Sequence, residues 1–201
     1  TPDIDAGKVR LTAYLPEDAA EDLPLRLDIT TAAEPVSVQS TLPKGKHKID
    51  LEVSIPKARL WTLEDPFLYL AKVSLGDDVV NSYFGMRKIS VTNLPGTDYP
   101  YIALNDKPIY LQLTLDQSYH PEGFYTFPSD QFMREEIERT KAIGLNGIRP
   151  HIKIEIPRKL YWADKLGLLV MADLPNSWGD PDEKMQAESE YTLRQMIQRD
   201  Y

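Results

Sequence analysis

Through the first half of the chain, apolar and polar residues alternate in short runs. In Lys48-Ile49-Asp50-Leu51-Glu52-Val53-Ser54-Ile55 the apolar residues fill every second position, which puts them on one face of a half-buried strand. The segments Lys8–Leu15, Leu25–Thr30, Val36–Ser40, His47–Ile55, Tyr69–Leu75, Val79–Phe84 and Met86–Thr92 share strand character and are separated by Pro, Gly and Asp. Strands at that spacing predict an all-β immunoglobulin-like sandwich over residues 1–97, without the disulfide of antibody domains because the chain has no cysteine. Gly76-Asp77-Asp78 reads as a hairpin turn. Leu94-Pro95-Gly96-Thr97-Asp98-Tyr99-Pro100 has the composition of a linker, and the domain boundary is placed there.

From residue 98 the rhythm becomes strand, loop, helix. Strands are expected at Ile109–Leu115, Gly147–Arg149 and Leu168–Met171, the last without polar alternation, as in a parallel strand covered on both faces. Ser129 or Asp130 should cap a first helix with Phe132, Met133, Ile137 and Ile143 on its apolar side, ended by Gly144. Pro157 opens a second helix with Leu160, Tyr161 and Leu166 inward and Gly167 as its stop. Pro181-Asp182 begins a third, with Met185, Ser189, Leu193 and Met196 on one side. The stretch from Asn105 to Asn176 therefore predicts an incomplete α/β (β/α)8 TIM barrel over 98–201, about three βα units of it. The whole is multidomain: a sandwich followed by the opening of a barrel.

Composition narrows the partners. With 42% hydrophobic and 27% charged residues the chain is ordinary globular material. A net charge of −8 argues against nucleic acid and against an anionic membrane. The basic run Lys44, Lys46, His47 and Lys48 reads as a solvated turn. Without cysteine no thiolate metal site exists, and neither a signal peptide nor a membrane-crossing apolar run is present. The start at Thr1-Pro2-Asp3 suggests a piece of a longer precursor with any export signal upstream; the compartment is unknown, with a periplasmic or secreted parent favoured.

In a barrel enzyme the C-terminal ends of the strands form the active face. The strand exits here carry Asp116, Arg149, His151 and Asp173, and a loop of about a dozen residues after the first strand holds Tyr119, His120, Phe124, Tyr125 and Phe127. Asp116 and Asp173 could accept bonds from the hydroxyls of a substrate or merely cap loops and helices. Tyr119, His120 and Trp178 could stack on a substrate face or pack locally. Arg149 could be a binding residue or half of a structural ion pair. Trp61 reads as core or interdomain packing in preference to a carbohydrate platform. His151, His120 and Asp116 fit no metal-ligand spacing, so no metal and no cofactor is expected.

Several motifs then point one way. Leu60-Trp61-Thr62-Leu63-Glu64-Asp65-Pro66-Phe67-Leu68-Tyr69 followed by Phe84-Gly85-Met86-Arg87-Lys88-Ile89 resembles the end of the sandwich domain of glycoside hydrolase family 2, the β-galactosidase and β-glucuronidase group. Leu104-Asn105-Asp106-Lys107-Pro108-Ile109 resembles that family's approach to its barrel. Ile148-Arg149-Pro150-His151 and Ala163-Asp164-Lys165-Leu166-Gly167-Leu168-Leu169-Val170 resemble its second strand and the passage into its third. The resemblance implies a retaining β-glycosidase acting on oligo- or polysaccharides, with Arg149 and His151 lining the −1 sugar pocket and Arg149 orienting a catalytic carboxylate. Leu115-Asp116-Gln117-Ser118-Tyr119-His120 departs from the Asn-Arg-His pattern of β-galactosidases, which leaves the sugar open. The family's acid/base Glu follows an Asn, and no Asn-Glu pair occurs in the 201 residues. A fragment without its catalytic carboxylates and inactive alone is the expectation, with self-association through the open barrel edge; the alternative is a non-catalytic carbohydrate-binding or interaction module.

Overall fold

The computed structural model describes residues 1–31, 34–175 and 178–200. Asn176, where the predicted barrel stretch ends, and Tyr201 lie outside the described residues. The chain divides into two compact units, Thr1–Ile109 and Tyr110–Tyr201.

The first unit is built from β1 (Pro2–Asp3), β2 (Lys8–Tyr14), β3 (Leu23–Thr30), β4 (Val36–Leu42), β5 (Lys48–Ser54), β6 (Tyr69–Leu75), β7 (Asp78–Phe84), β8 (Ile89–Asn93), β9 (Pro100–Leu104) and β10 (Lys107–Pro108). A sheet of order β1-β2-β5 and a sheet of order β4-β3-β6-β7 share one core: Val9, Val53 and Ile55 come from the first side, Leu27, Ile29, Tyr69 and Ala71 from the second. The result is sandwich-like. The alternation in β3 explains it locally, since Leu25, Leu27 and Ile29 are all buried while their neighbours face outward. β6 and β7 join through Gly76-Asp77, where Gly76 takes a φ of +58°, as the hairpin expected there requires.

Leu94–Pro100 is not a linker. It closes an antiparallel hairpin in which Asn93 pairs with Pro100 and Leu94 N–H donates to the Tyr99 carbonyl at 3.0 Å. β10 adds to the same sheet after a turn at Asn105 and Asp106, so the division between units falls at Ile109, later than the boundary at residue 97. Trp61 is fully buried, with the Arg87 guanidinium 4.5 Å from its ring centre and its carbonyl accepting from Asn105 Nδ2. That burial removes it as a carbohydrate platform.

The second unit contains β11 (Leu113–Asp116), α1 (Asp130–Ala142), β12 (Gly147–Pro150), α2 (Pro157–Leu166), β13 (Leu169–Val170) and α3 (Glu183–Asp200). The strands form a parallel sheet of order β11-β12-β13. Ile148 and Val170 pack against Ile137 of α1 and Ala163 of α2, so one face of the sheet is covered by helices and Arg149 lies on the other. Ser129 caps α1 by accepting from Phe132 N–H at 3.1 Å. Gly167 ends α2 with a φ of +78°.

Three predicted helix faces differ, and in α3 only Met196 is buried while Leu193 is exposed. Ile143 follows the last turn of α1 and is exposed, leaving Met133 and Ile137 as that helix's buried residues. In α2 the buried residues are Lys159 and Ala163, with Leu160, Tyr161 and Leu166 only partly covered. Among the described residues no helix is long and apolar enough to cross a membrane.

Candidate functional site

Parallel register brings the strand exits to one rim: Leu115 pairs with Arg149 and Asp116 with Pro150, while Ile148 pairs with Val170 one turn of chain before Asp173. Arg149 reaches across to Asp173 in a two-point pair, Nε to Oδ1 at 3.0 Å and Nη2 to Oδ2 at 2.9 Å. Ile152 N–H adds a contact to Oδ2 at 3.4 Å. Partial burial raises the Asp173 carboxyl, but the hydrogen bonds from Arg149 and Ile152 outweigh it, holding the group below its ordinary value and ionised. His151 stands beside them, its Nδ1 3.2 Å from Gln117 Nε2 and its N–H donating to the Asp116 carbonyl.

Asp116 itself turns away from this rim. It occupies the register position of buried Pro150, and its Oδ2 lies 2.6 Å from the Lys159 ammonium on α2. Around Lys159, only 1% exposed, stand Glu136 at 3.2 Å, Glu155 at 3.7 Å and Ser118 Oγ at 3.3 Å. Glu136 Oε2 receives no well-aligned hydrogen bond, so its link to Lys159 is an ion contact. Burial alone lowers the Lys159 ammonium, but the Asp116 hydrogen bond and the three carboxylates raise it above its ordinary value. Burial likewise raises Asp116, and Lys159 with the Ser118 hydrogen bonds brings it below. The expectation that Asp116 reaches a sugar therefore gives way to an internal ion cluster, in which its Oδ1 also caps Ser118 N–H at 2.7 Å.

The aromatic loop after β11 is mixed. Tyr119, Phe124 and Tyr125 are each more than half exposed, and Tyr119 meets the other two edge-on at 5.7 Å. His120 turns inward, edge-on to Phe132 at 5.4 Å, and its backbone exchanges hydrogen bonds with Phe124. Local packing thus accounts for His120. Trp178 is fully exposed. Among the described residues no group of three or more His, Asp or Glu is arranged to hold a metal.

Comparison with known proteins points toward one family. Residues 1–87 match the model of the Glycosyl hydrolases family 2. Over that segment the chain is similar to family 2. A Formosa agariphila protein named as a candidate beta-glucuronidase is 28% identical over 192 residues, covering 89% of this chain and 17% of its own length. A Pseudoalteromonas haloplanktis beta-galactosidase is 26% identical over 190 residues, 85% of this chain and 18% of the relative. The crystal structure of a Parabacteroides merdae beta-glucuronidase superposes on all of this chain and 26% of itself, at TM-score 0.77 and 21% identity, which speaks for the fold. The chain thus spans about a fifth of the length of these curated relatives.

The described rim can be set against the retaining hydrolysis that the resemblance implies. Retaining hydrolysis needs a protonated carboxyl facing a nucleophilic one about 5–5.5 Å away. Asp173, held ionised by Arg149, cannot supply that proton. Sequence reasoning named Arg149, His151 and Asp173 but missed Gln117 as the histidine's partner. It also missed Lys159, Glu155, Lys153 and Ser118 as one cluster. The available signal was a lysine on the inward face of α2, one turn before Ala163, with Glu155 four residues earlier.

Proposed function

We propose that this chain is part of a retaining β-glycosidase of family 2, an immunoglobulin-like sandwich followed by the first three βα units of the catalytic barrel. The observation that carries the reading is the two-point Arg149–Asp173 pair beside His151, at the common end of parallel strands. In this reading Arg149 orients a catalytic carboxylate, Asp173 fixes Arg149, His151 lines the sugar pocket, and Tyr119 and Trp178 offer faces for sugar rings. The names of the relatives support a β-linked hexose or uronic acid as substrate. Both catalytic Glu residues then belong to later barrel strands, and the 201-residue chain alone hydrolyses nothing. The half-exposed Leu115 and Met171 on the helix-free face of the sheet support self-association of the isolated chain.

The test extends the natural reading frame beyond Tyr201 and assays the product on aryl β-glucuronides and β-galactosides. Turnover by the extended protein, lost by about a hundredfold or more in Arg149→Ala with folding intact, supports the reading. Turnover by the 201-residue chain itself, or an extended frame without an Asn-Glu-bearing strand, refutes it. A binding module is favoured by one observation, the exposure of Tyr119, Phe124 and Tyr125. It predicts saturable binding of β-glycosides by the short chain, abolished in Tyr119→Ala.

A further inference from the structure

Ser118 is the residue from which the aromatic loop departs, and it is held as no other rim residue is. Its backbone takes a left-handed φ of +48° although it is not glycine, and it is 4% exposed. Each of its polar groups meets a charged side chain. Its N–H donates to Asp116 Oδ1 at 2.7 Å, its hydroxyl donates to Glu155 Oε2 and accepts from Lys159 Nζ at 3.3 Å, and its carbonyl accepts from Lys153 Nζ at 2.9 Å. Lys153 and Glu155, both buried, lie on the segment between β12 and α2, and their own ion contact is 3.4 Å. The Lys153 ammonium also stands 5.0 Å from the Phe127 ring centre and 5.5 Å from that of Tyr125. One cation thus grips the loop at its first residue and again at its far end.

We propose that Lys153 and Glu155 are positioning residues that act through Ser118 to fix the direction in which loop 119–127 leaves the rim. The inference rests on the glycosidase reading for what the loop serves, but its physical content is independent of any sugar. Without the two side chains, the left-handed serine and the buried carbonyl lose what compensates them, and the loop relaxes while the helices keep their core. The His120–Phe124 exchange of hydrogen bonds, both 2.8 Å, and Thr126 N–H to the Gly123 carbonyl at 2.8 Å are the natural probes.

Hydrogen–deuterium exchange on the intact 201-residue chain tests this. In Lys153→Met the amides of His120, Phe124 and Thr126 should exchange at least about tenfold faster, while those of α1 and α2 keep their rates, and Lys153→Arg should restore protection. Loop amides at unchanged rates overturn the proposal. So does equal acceleration of loop and helices, which marks a general loss of stability. Should Lys153→Met fail to fold, Ser118→Ala removes only the hydroxyl held by Glu155 and Lys159 and is read by the same two outcomes. No glycoside enters the measurement, so a failed hydrolysis assay and a failed exchange result remain distinguishable.

Discussion

Replacing Lys159 by Met keeps the aliphatic stem in the helix–sheet core and removes the ammonium that faces Asp116, Glu136 and Glu155. Glu136 and Asp116 side chains retain 32% and 21% exposure and can partly rehydrate; Glu155, at 1%, cannot, and keeps Lys153 at 3.4 Å as its cation with hydrogen bonds from the Ser118 hydroxyl and Ile156 N–H. Removing one partner from a buried ion pair costs about 3–5 kcal/mol, and this partial rehydration puts the expected loss near the lower end, about 3 kcal/mol. With a urea m-value of about 1–3 kcal/mol/M, the unfolding midpoint should fall by about 1 M or more at pH 7, followed by the fluorescence of Trp162. In the parent chain Asp116 is depressed, so its stabilisation is present above its unfolded value and is lost as pH falls through the folded one. The raised Lys159 contributes fully below its unfolded value and loses its contribution only as alkaline pH rises through the folded one. A loss under about 1 kcal/mol at pH 7 would refute the ion-cluster argument.

Asp130 accepts from Arg158 and, at 2.9 Å, from Trp162 Nε1, and these hydrogen bonds lower its carboxyl to about 2. Its stabilisation should be present above the unfolded carboxylate value and disappear as pH falls through about 2; carboxyl NMR titration should show that midpoint, and Arg158→Ala should move it upward. A Cβ at Gly147 would stand 2.3 Å from Leu113 Cδ2 and 2.9 Å from the Leu169 carbonyl oxygen, which is fixed in the sheet. Gly147→Ala should therefore cost about 1–3 kcal/mol in urea unfolding, and a neutral result would show that the strands can separate locally. Ser129→Ala, which removes the α1 cap, should cost about 1 kcal/mol in the same assay.

Local pattern placed the three helices and most strands, but not β9 or β10, and it started β11 at Ile109 where the structure starts it at Leu113. Alternation in Lys48–Ser54 and the Ser129, Pro157 and Gly167 punctuation act within a few residues, and each reappears in the structure at or near the expected position. Pairing was not local. Leu94–Pro100 carries the same Pro and Gly whether it links domains or turns a hairpin, and only the β8–β9 ladder decides between them. The motifs around Arg149 and His151 marked the rim, because parallel strands end together and the residue types there are chemically distinctive. Which way Asp116 points depended on register with Pro150 and on a lysine 43 residues away, and one position along a strand reverses the face. Charge balance inside a fold is a property of distances between segments, so the cluster around Lys159 existed only once α1, α2 and β11 had packed together.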